Sequence, residues 1–197
     1  MINKKIHKGF TLMETLIAVF VLSLAITGPF MIAQKGLQAG LISKDQITAF
    51  YLAQDAIEYI RYARDTNCLV AGSVAGGCPA GQWLAGNGSA SQDVNLTPCI
   101  SANGTAACTV DIIALTQPAS CTGGVCSAIN YDATNNYFTY ASGAVSIFTR
   151  TVNITSPVCN VGNTLCNANE AAVVVTVSWS DPLAHSVVVR ENILNWQ

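Results

Sequence analysis

Residues 9–34, GFTLMETLIAVFVLSLAITGPFMIAQ, form the stretch on which the organisation of the whole chain depends. Glu14 is its only charged side chain, three lysines precede it and Lys35 closes it. The stretch is longer than the run of about 18 apolar residues that indicates a membrane span. Because lysine and arginine are enriched on the cytoplasmic side of such spans, we expect a single-pass membrane protein with its N-terminus in the cytoplasm and its head outside.

A secretory signal peptide and a plain signal anchor are the alternative interpretations of this stretch. A signal peptide has an apolar run of about 7–15 residues followed by a small-residue cleavage site. The run here is longer, although Ser23-Leu24-Ala25 resembles such a site. A plain anchor accounts for the length and the basic flank but leaves Glu14 unexplained, because an ionised carboxylate at the bilayer centre costs about 2.5–3.5 kcal/mol.

The segment from Gly9 to Val19, GFTLMETLIAV, closely resembles the N-terminus of type IV prepilins and pseudopilins. In that family a membrane-embedded prepilin peptidase cuts after the glycine that ends a short basic leader, and it methylates the new N-terminal phenylalanine. The resemblance implies cleavage between Gly9 and Phe10, followed by N-methylation of Phe10. It is specific over residues 8–25 and weak beyond residue 65.

Glu14 matches the acidic residue of that family, which is the fifth of the mature chain. It lies four residues after Phe10, about 6 Å along a helix. The free amine of a cleaved Phe10 is largely protonated near neutral pH, since its usual pKa is about 7.7–8.0. The resemblance implies that Glu14 pairs with the Phe10 amine of an adjacent subunit during assembly. The alternative is a glutamate near the membrane edge that reaches water.

The chain continues a helical pattern after Lys35, with apolar residues mostly at three- and four-residue steps. Gly28 and Pro29 should interrupt the helix by a bend or an unwound stretch, because proline lacks the backbone donor and glycine adds backbone freedom. The expected organisation is a leader over 1–9, a transmembrane and assembly helix over 10–33, its amphipathic continuation over 34–65 and an extracytoplasmic β-rich head over 66–197.

The head is poor in charge, with two arginines, no lysine and six acids. Alternation of apolar and polar residues is clearest just before Asp181, where three valines and Trp179 share one face. Strands are predicted over 109–115, 136–140, 145–154, 171–180 and 186–196. These elements predict an α+β fold, in which the upper half of the long N-terminal helix packs against a C-terminal antiparallel sheet with disulfide-closed loops.

Eight cysteines lie in the head, and an even number in a charge-poor region indicates disulfides formed outside the cytoplasm. Because eight cysteines allow 105 connectivities, pairing of sequence neighbours is one hypothesis among many. It pairs Cys68 with Cys78, Cys99 with Cys108, Cys121 with Cys126, and Cys159 with Cys166. Zinc is the alternative, but there is no C-x-x-C and His185 is the only histidine of the head. We expect no metal, and we interpret His185 as a solvated loop residue.

No nucleophile motif, phosphate-binding loop or pair of carboxylates stands out in the sequence. We therefore expect no catalytic site, no cofactor and no enzymatic activity. The formal net charge of −2 argues against direct binding of nucleic acid, which requires a basic surface.

The resemblance implies a structural subunit of a type IV pilus-like filament, with prepilin peptidase, other pilin subunits and the cytoplasmic membrane as partners. Irregular loops and the cysteine content favour a minor pilin. Such a protein starts in the cytoplasmic membrane and ends in an extracellular or periplasmic filament. The alternatives are a pseudopilin of type II secretion or DNA-uptake machinery and, in another class, a membrane-anchored binding or adhesin module that does not polymerise.

Overall fold

The computed structural model describes residues 9–71, 78–79, 81–86, 93–159, 166–181 and 183–195. The chain divides into two compact units, residues 1–44 and residues 45–197. A long helix, α1 (Leu12–Ala71), begins in the first unit, and a mainly antiparallel sheet of eight strands lies in the second. The predicted α+β class is confirmed.

The first unit contains the start of α1, and its described side chains are almost all exposed. Phe10 and Leu12 are each 79% exposed, and the large apolar side chains that follow as far as Leu41 are more than half exposed. Among the described residues, α1 is the one helix long and apolar enough to cross a membrane. A helix that is apolar all round suits a lipid environment, so this unit fits membrane anchoring.

Gly28 and Pro29 lie inside α1, and the backbone stays helical through both, which corrects the prediction of an unwound stretch. A bend of the helix at this point stays a prediction. Proline takes away one backbone donor and leaves the Ala25 carbonyl without its usual partner. Unwinding would leave several more N–H and C=O groups unpaired, which costs more in an apolar environment. Close by, the hydroxyl of Thr27 donates to the Ser23 carbonyl at 2.6 Å. The continuous helix therefore satisfies more of the backbone than a broken one.

The second unit contains, in its described residues, the end of α1, a one-turn helix α2 (Gln82–Ala85), a 3-10 turn (Thr97–Cys99) and ten strands. The strands are β1 (Ile100–Ser101), β2 (Cys108–Thr109), β3 (Ala119–Ser120), β4 (Ala128–Asp132), β5 (Tyr137–Thr139), β6 (Ala144–Thr155), β7 (Val158–Cys159), β8 (Cys166–Asn167), β9 (Glu170–Ser180) and β10 (Ala184–Leu194). The eight-stranded sheet follows the path β10-β9-β6-β2-β3, while β1 and β4 also pair with β6, and β5 pairs with β4. Strands β7 and β8 form a separate pair.

The core of the second unit lies between α1 and the sheet. The buried face of α1 runs from Ala49 to Cys68 and is rich in alanine, which lets the helix approach the sheet closely. On β9, alternate residues from Ala171 to Trp179 are buried in the same core, as the alternation predicts. The prediction that the upper part of the helix packs against the sheet is confirmed.

Helix α1 ends at Ala71, later than the predicted end at residue 65, because the head holds its last turns. The Asn67 side chain accepts a hydrogen bond from the Val94 N–H at 2.9 Å and donates to the Val94 carbonyl at 2.8 Å. Asn67 is 1% exposed, and the adjacent Cys68 belongs to a disulfide. These contacts extend the helix past the amphipathic pattern.

Four predicted strands correspond to β5, β6, β9 and β10 and agree with them within two residues at each end. The strand predicted over 109–115 is wrong, because it stops at Thr109. Asp111 Oδ1 accepts hydrogen bonds from the N–H groups of Ile113 and Ala114 at 3.0 and 3.1 Å, which folds the backbone into a turn. The sequence does not predict β4, AINYD, because asparagine and aspartate are depleted in strands.

Three of the four predicted disulfides are confirmed: Cys68–Cys78, Cys99–Cys108 and Cys121–Cys126. For the fourth, the pairing of β7 with β8 places Cys159 directly opposite Cys166. The side chains of these two residues lie outside the described part of the chain, so this bond stays a prediction.

Candidate processing and assembly site

Gly9 and Phe10 form a short non-helical segment in front of α1. Phe10 is 79% exposed, and no described atom lies within 4 Å of the place where Gly9 would carry a Cβ. Exposed segments without packed neighbours are the usual sites of proteolysis. The two residues that flank the predicted cleavage point are therefore exposed, while the cleavage itself stays a prediction.

Thr11 caps the N-terminus of α1 through both its side chain and its backbone. Its hydroxyl accepts a hydrogen bond from the N–H of Glu14 at 3.3 Å, and its carbonyl accepts one from the N–H of Thr15 at 3.2 Å. A threonine followed three residues later by a glutamate is the pattern of a capping box. We did not predict this role, although that spacing in front of an apolar run signals it.

Glu14 lies in the first turn of α1, and its side chain is exposed. A carboxylate at this end of a helix interacts favourably with the helix dipole, by about 0.3–1 kcal/mol. Within the described ranges, no cation forms an ion pair with it. Its carboxylate is open to a cation from another molecule, while pairing with the Phe10 amine of a neighbouring subunit stays a prediction.

The surface of α1 that follows Glu14 is apolar on every side. Its large exposed side chains are Leu16, Ile17, Val19, Phe20, Val21, Leu22, Leu24, Ile26, Phe30, Met31 and Ile32. No further charged side chain occurs before Lys35. Contiguous apolar surface of this extent marks a site of contact with a membrane or with other proteins.

A buried polar network joins α1 to the sheet within the head. Arg150 on β6 is 2% exposed and donates to the carbonyl of Leu52 at 3.0 Å and to that of Val110. Asp111 accepts four hydrogen bonds, including one from the Thr139 hydroxyl at 2.7 Å. Burial raises the pKa of the Asp111 carboxyl, but these hydrogen bonds to its charged form outweigh burial and leave the pKa below its ordinary value. The network fixes the helix against the sheet.

His185 lies on β10, which corrects its interpretation as a solvated loop residue. Its ring stacks on Trp179 with the centroids 5.4 Å apart, and Trp179 contacts Phe148 at 5.9 Å. The row continues from Phe148 through Phe138 to Tyr131, so His185 ends a row of five rings on five strands. Among the residues whose structure is described, no group of three His, Cys, Asp or Glu side chains is arranged to hold a metal ion.

Residues 4–28 match a family model described as the prokaryotic N-terminal methylation motif. This match includes Gly9, Phe10 and Glu14 and leaves the head outside it. No curated protein and no solved structure matches the chain. The motif supports processing of a type IV pilin-like protein by prepilin peptidase. At the exposed start of α1, the chain therefore carries the N-terminal signature of type IV pilins.

Proposed function

We propose that this chain is a structural subunit, a minor pilin, of a type IV pilus-like filament. Prepilin peptidase removes residues 1–9 and methylates Phe10, and α1 holds the protein in the cytoplasmic membrane until it enters the filament. One observation carries the proposal. Within the methylation motif, the capped start of α1 bears a single exposed carboxylate, and its surface as far as Lys35 is apolar on every side.

The positive charge that cleavage creates on Phe10 is the partner that we propose for the Glu14 carboxylate during assembly. Cleavage leaves an ammonium group on Phe10, four residues before Glu14. Opposite charges attract more strongly in an apolar environment than in water, and an unpaired carboxylate is costly there. The Phe10 ammonium of one copy neutralises the Glu14 carboxylate of the next, which sets the register between neighbouring helices.

The head supports a role at the filament surface. The described residues of its loops between α1 and β6 contain only short strands, and three disulfides close these loops. Irregular, cross-linked loops of this kind favour a minor pilin over the abundant subunit of the filament. We propose no enzymatic activity and no cofactor for this protein.

Replacing Glu14 tests the proposal. We expect Glu14→Ala to be cleaved after Gly9 and to fold, but to fall by about tenfold or more in sheared filaments, since the Phe10 ammonium of its neighbour is left unpaired. Immunoblots of the sheared and membrane fractions measure incorporation. The matched control is Lys35→Ala, which removes an exposed charge from the same helix outside the motif and should incorporate normally.

The outcomes separate the candidate functions. Equal incorporation of the two variants would contradict pairing through Glu14. A protein that stays in the membrane and works there without Glu14 would be an anchored binding or adhesin module. If deletion of the gene abolished secretion or DNA uptake and no extracellular filament contained the chain, the protein would be a pseudopilin.

A further inference from the structure

Strand β10 is an open edge of the eight-stranded sheet. In the described part of the chain it pairs with β9 alone, in an antiparallel register without a shift. Beyond the two ends of this register, the Asn195 N–H donates to the Asn169 carbonyl at 2.9 Å and the Asp181 N–H to the Leu183 carbonyl at 3.1 Å. Hydrogen-bonded and non-bonded pairs alternate along an antiparallel ladder, so the odd-numbered residues of β10 bond to β9.

The even-numbered residues of β10 consequently direct their backbone N–H and C=O groups away from the sheet. Leu194 agrees with this direction, because its carbonyl accepts a hydrogen bond from Arg64 of α1 at 3.4 Å. Ser186, Val188 and Arg190 present their backbone groups to the same side. Strand β10 contains no proline, lysine or bulge, which are devices that protect edge strands. The edge is therefore competent to pair with another strand.

A groove of about 370 Å³ lies between α1 and β10, beside this edge. Asp55 and Glu58 of α1 and Glu191 of β10 line it together with Arg61. Arg61 contacts Glu58 at 2.6 Å and donates from Nε to Glu191 at 3.1 Å. Glu58 and Glu191 flank Arg61, whereas Asp55 interacts with the charge of the buried Arg150. Three carboxylates therefore face two guanidiniums, which leaves one net negative charge at the groove.

We propose that the β10 edge and this groove dock an extended segment of another polypeptide, whose groove-facing side chains are basic. Strand addition supplies main-chain hydrogen bonds, and alternate side chains of the added strand contact one face. A lysine or arginine on the groove side meets Asp55 and Glu58, while the aliphatic part of its side chain covers Ile57 and Val189. The inference goes beyond the proposed function, because docking does not require a filament.

A second copy of β10 does not fit this edge. In such a dimer, the even-numbered residues of one β10 would bond to the even-numbered residues of the other. The Glu191 side chain of the second copy would then enter a groove that is already negative. The head offers no lysine, its Arg150 is buried, and Arg190 lies on the face opposite the groove-lining Val189. These observations exclude a second copy of β10, and we assign the docked segment to a different protein.

Peptide binding to the full-length protein in detergent micelles tests the proposal. The probe is a fluorescent peptide of alternating lysine and threonine, and the control peptide has glutamate in place of every lysine. We expect saturable binding of the lysine peptide by fluorescence anisotropy at low salt, weaker binding at high salt, and no binding of the glutamate peptide.

Two variants locate the binding site. Val188→Pro removes one outward N–H and leaves the ladder with β9 intact, so we expect it to weaken binding by about tenfold. Val188→Thr keeps that N–H and should bind like the natural chain. The double variant Asp55→Asn/Glu58→Gln removes charge from the groove and should weaken binding of the lysine peptide by about fivefold.

Several results would overturn the proposal. They are unchanged binding by V188P, unchanged binding by the double charge variant, and equal binding of the glutamate peptide. Thermal melts check the folding of each variant, and the double charge variant decides the outcome if V188P does not fold. Self-association that V188P abolishes, without any peptide binding, would assign the edge to a second copy and would also overturn the proposal.

Discussion

Thr11 and Glu14 perform separate tasks within the first turn of α1. The Thr11 hydroxyl satisfies the backbone N–H of Glu14, while the Glu14 side chain stays exposed. The helix start therefore does not depend on the carboxylate alone, since a threonine cap contributes about 1 kcal/mol. This separation is the reason that a Glu14 substitution can affect assembly without unfolding the helix.

Asp111 makes the folded head sensitive to acid. Its pKa in the folded state lies below the ordinary value. Its stabilising effect is therefore present above the pKa of the unfolded chain and is lost as the pH falls through the folded pKa. We expect the free energy of unfolding to decrease below about pH 4. Asp111→Asn should lower it by about 1–3 kcal/mol at neutral pH and reduce its dependence on acid.

Urea denaturation of the full-length protein in detergent between about pH 3 and pH 7 measures both effects of the Asp111 substitution. Asp181→Asn is the matched control, because Asp181 is an exposed carboxylate in the turn after β9. The control should follow the natural chain at every pH. An Asp111→Asn protein with the natural stability and the natural acid dependence would show that the hydrogen bonds to Asp111 do not stabilise the head.

The end of α1 is an element whose stability we attribute to a disulfide. Cys68 and Cys78 are ten residues apart in sequence, and closing a loop of this size contributes about 2–3 kcal/mol through the unfolded state. The variant Cys68→Ser/Cys78→Ser should therefore lower Tm by about 5–10 °C, which a circular-dichroism melt measures.

The matched control for that disulfide is Cys121→Ser/Cys126→Ser, which opens a loop of five residues. A shorter loop contributes less in the same account, so this variant should lower Tm by a smaller amount. The reverse order of the two Tm values would contradict a stabilisation based on loop closure.

The long, periodic elements could be predicted from the sequence, whereas most of the short ones could not. Burial alternates strictly along β9 because one face of the strand packs against α1. The apolar and polar pattern of its sequence therefore predicts which face is buried. Strand β1 has two residues and exists because Ile100 and Ser101 pair with β6, a contact that no local pattern encodes. The turn at Asp111 depends on a side chain that bonds its own backbone, which outweighs the apolar residues around it.

The candidate processing site could be predicted because its chemistry is local. Gly9, Phe10 and Glu14 lie within one short run of sequence. The docking surface could not be predicted, because Arg61 and Glu191 meet across 130 positions of the chain. The direction of the free backbone groups on β10 also follows only from the observed register.

At the scale of the whole molecule, the two units have contrasting surfaces. The first exposes an apolar helix and contains every lysine of the chain. The second has a buried core, disulfides and few charges. Contact with lipid and with other helices suits the first unit, and contact with water suits the second. This contrast fits membrane anchoring by the first unit, and it supports the proposed passage of the protein into a filament.

The proposed function requires that the chain be cut after Gly9. Mass spectrometry of the N-terminal peptide of the mature protein, purified from the cell, is the most direct measurement of that step. We predict a chain that begins with N-methylated Phe10. A functional mature protein that retains residues 1–9 would contradict the account.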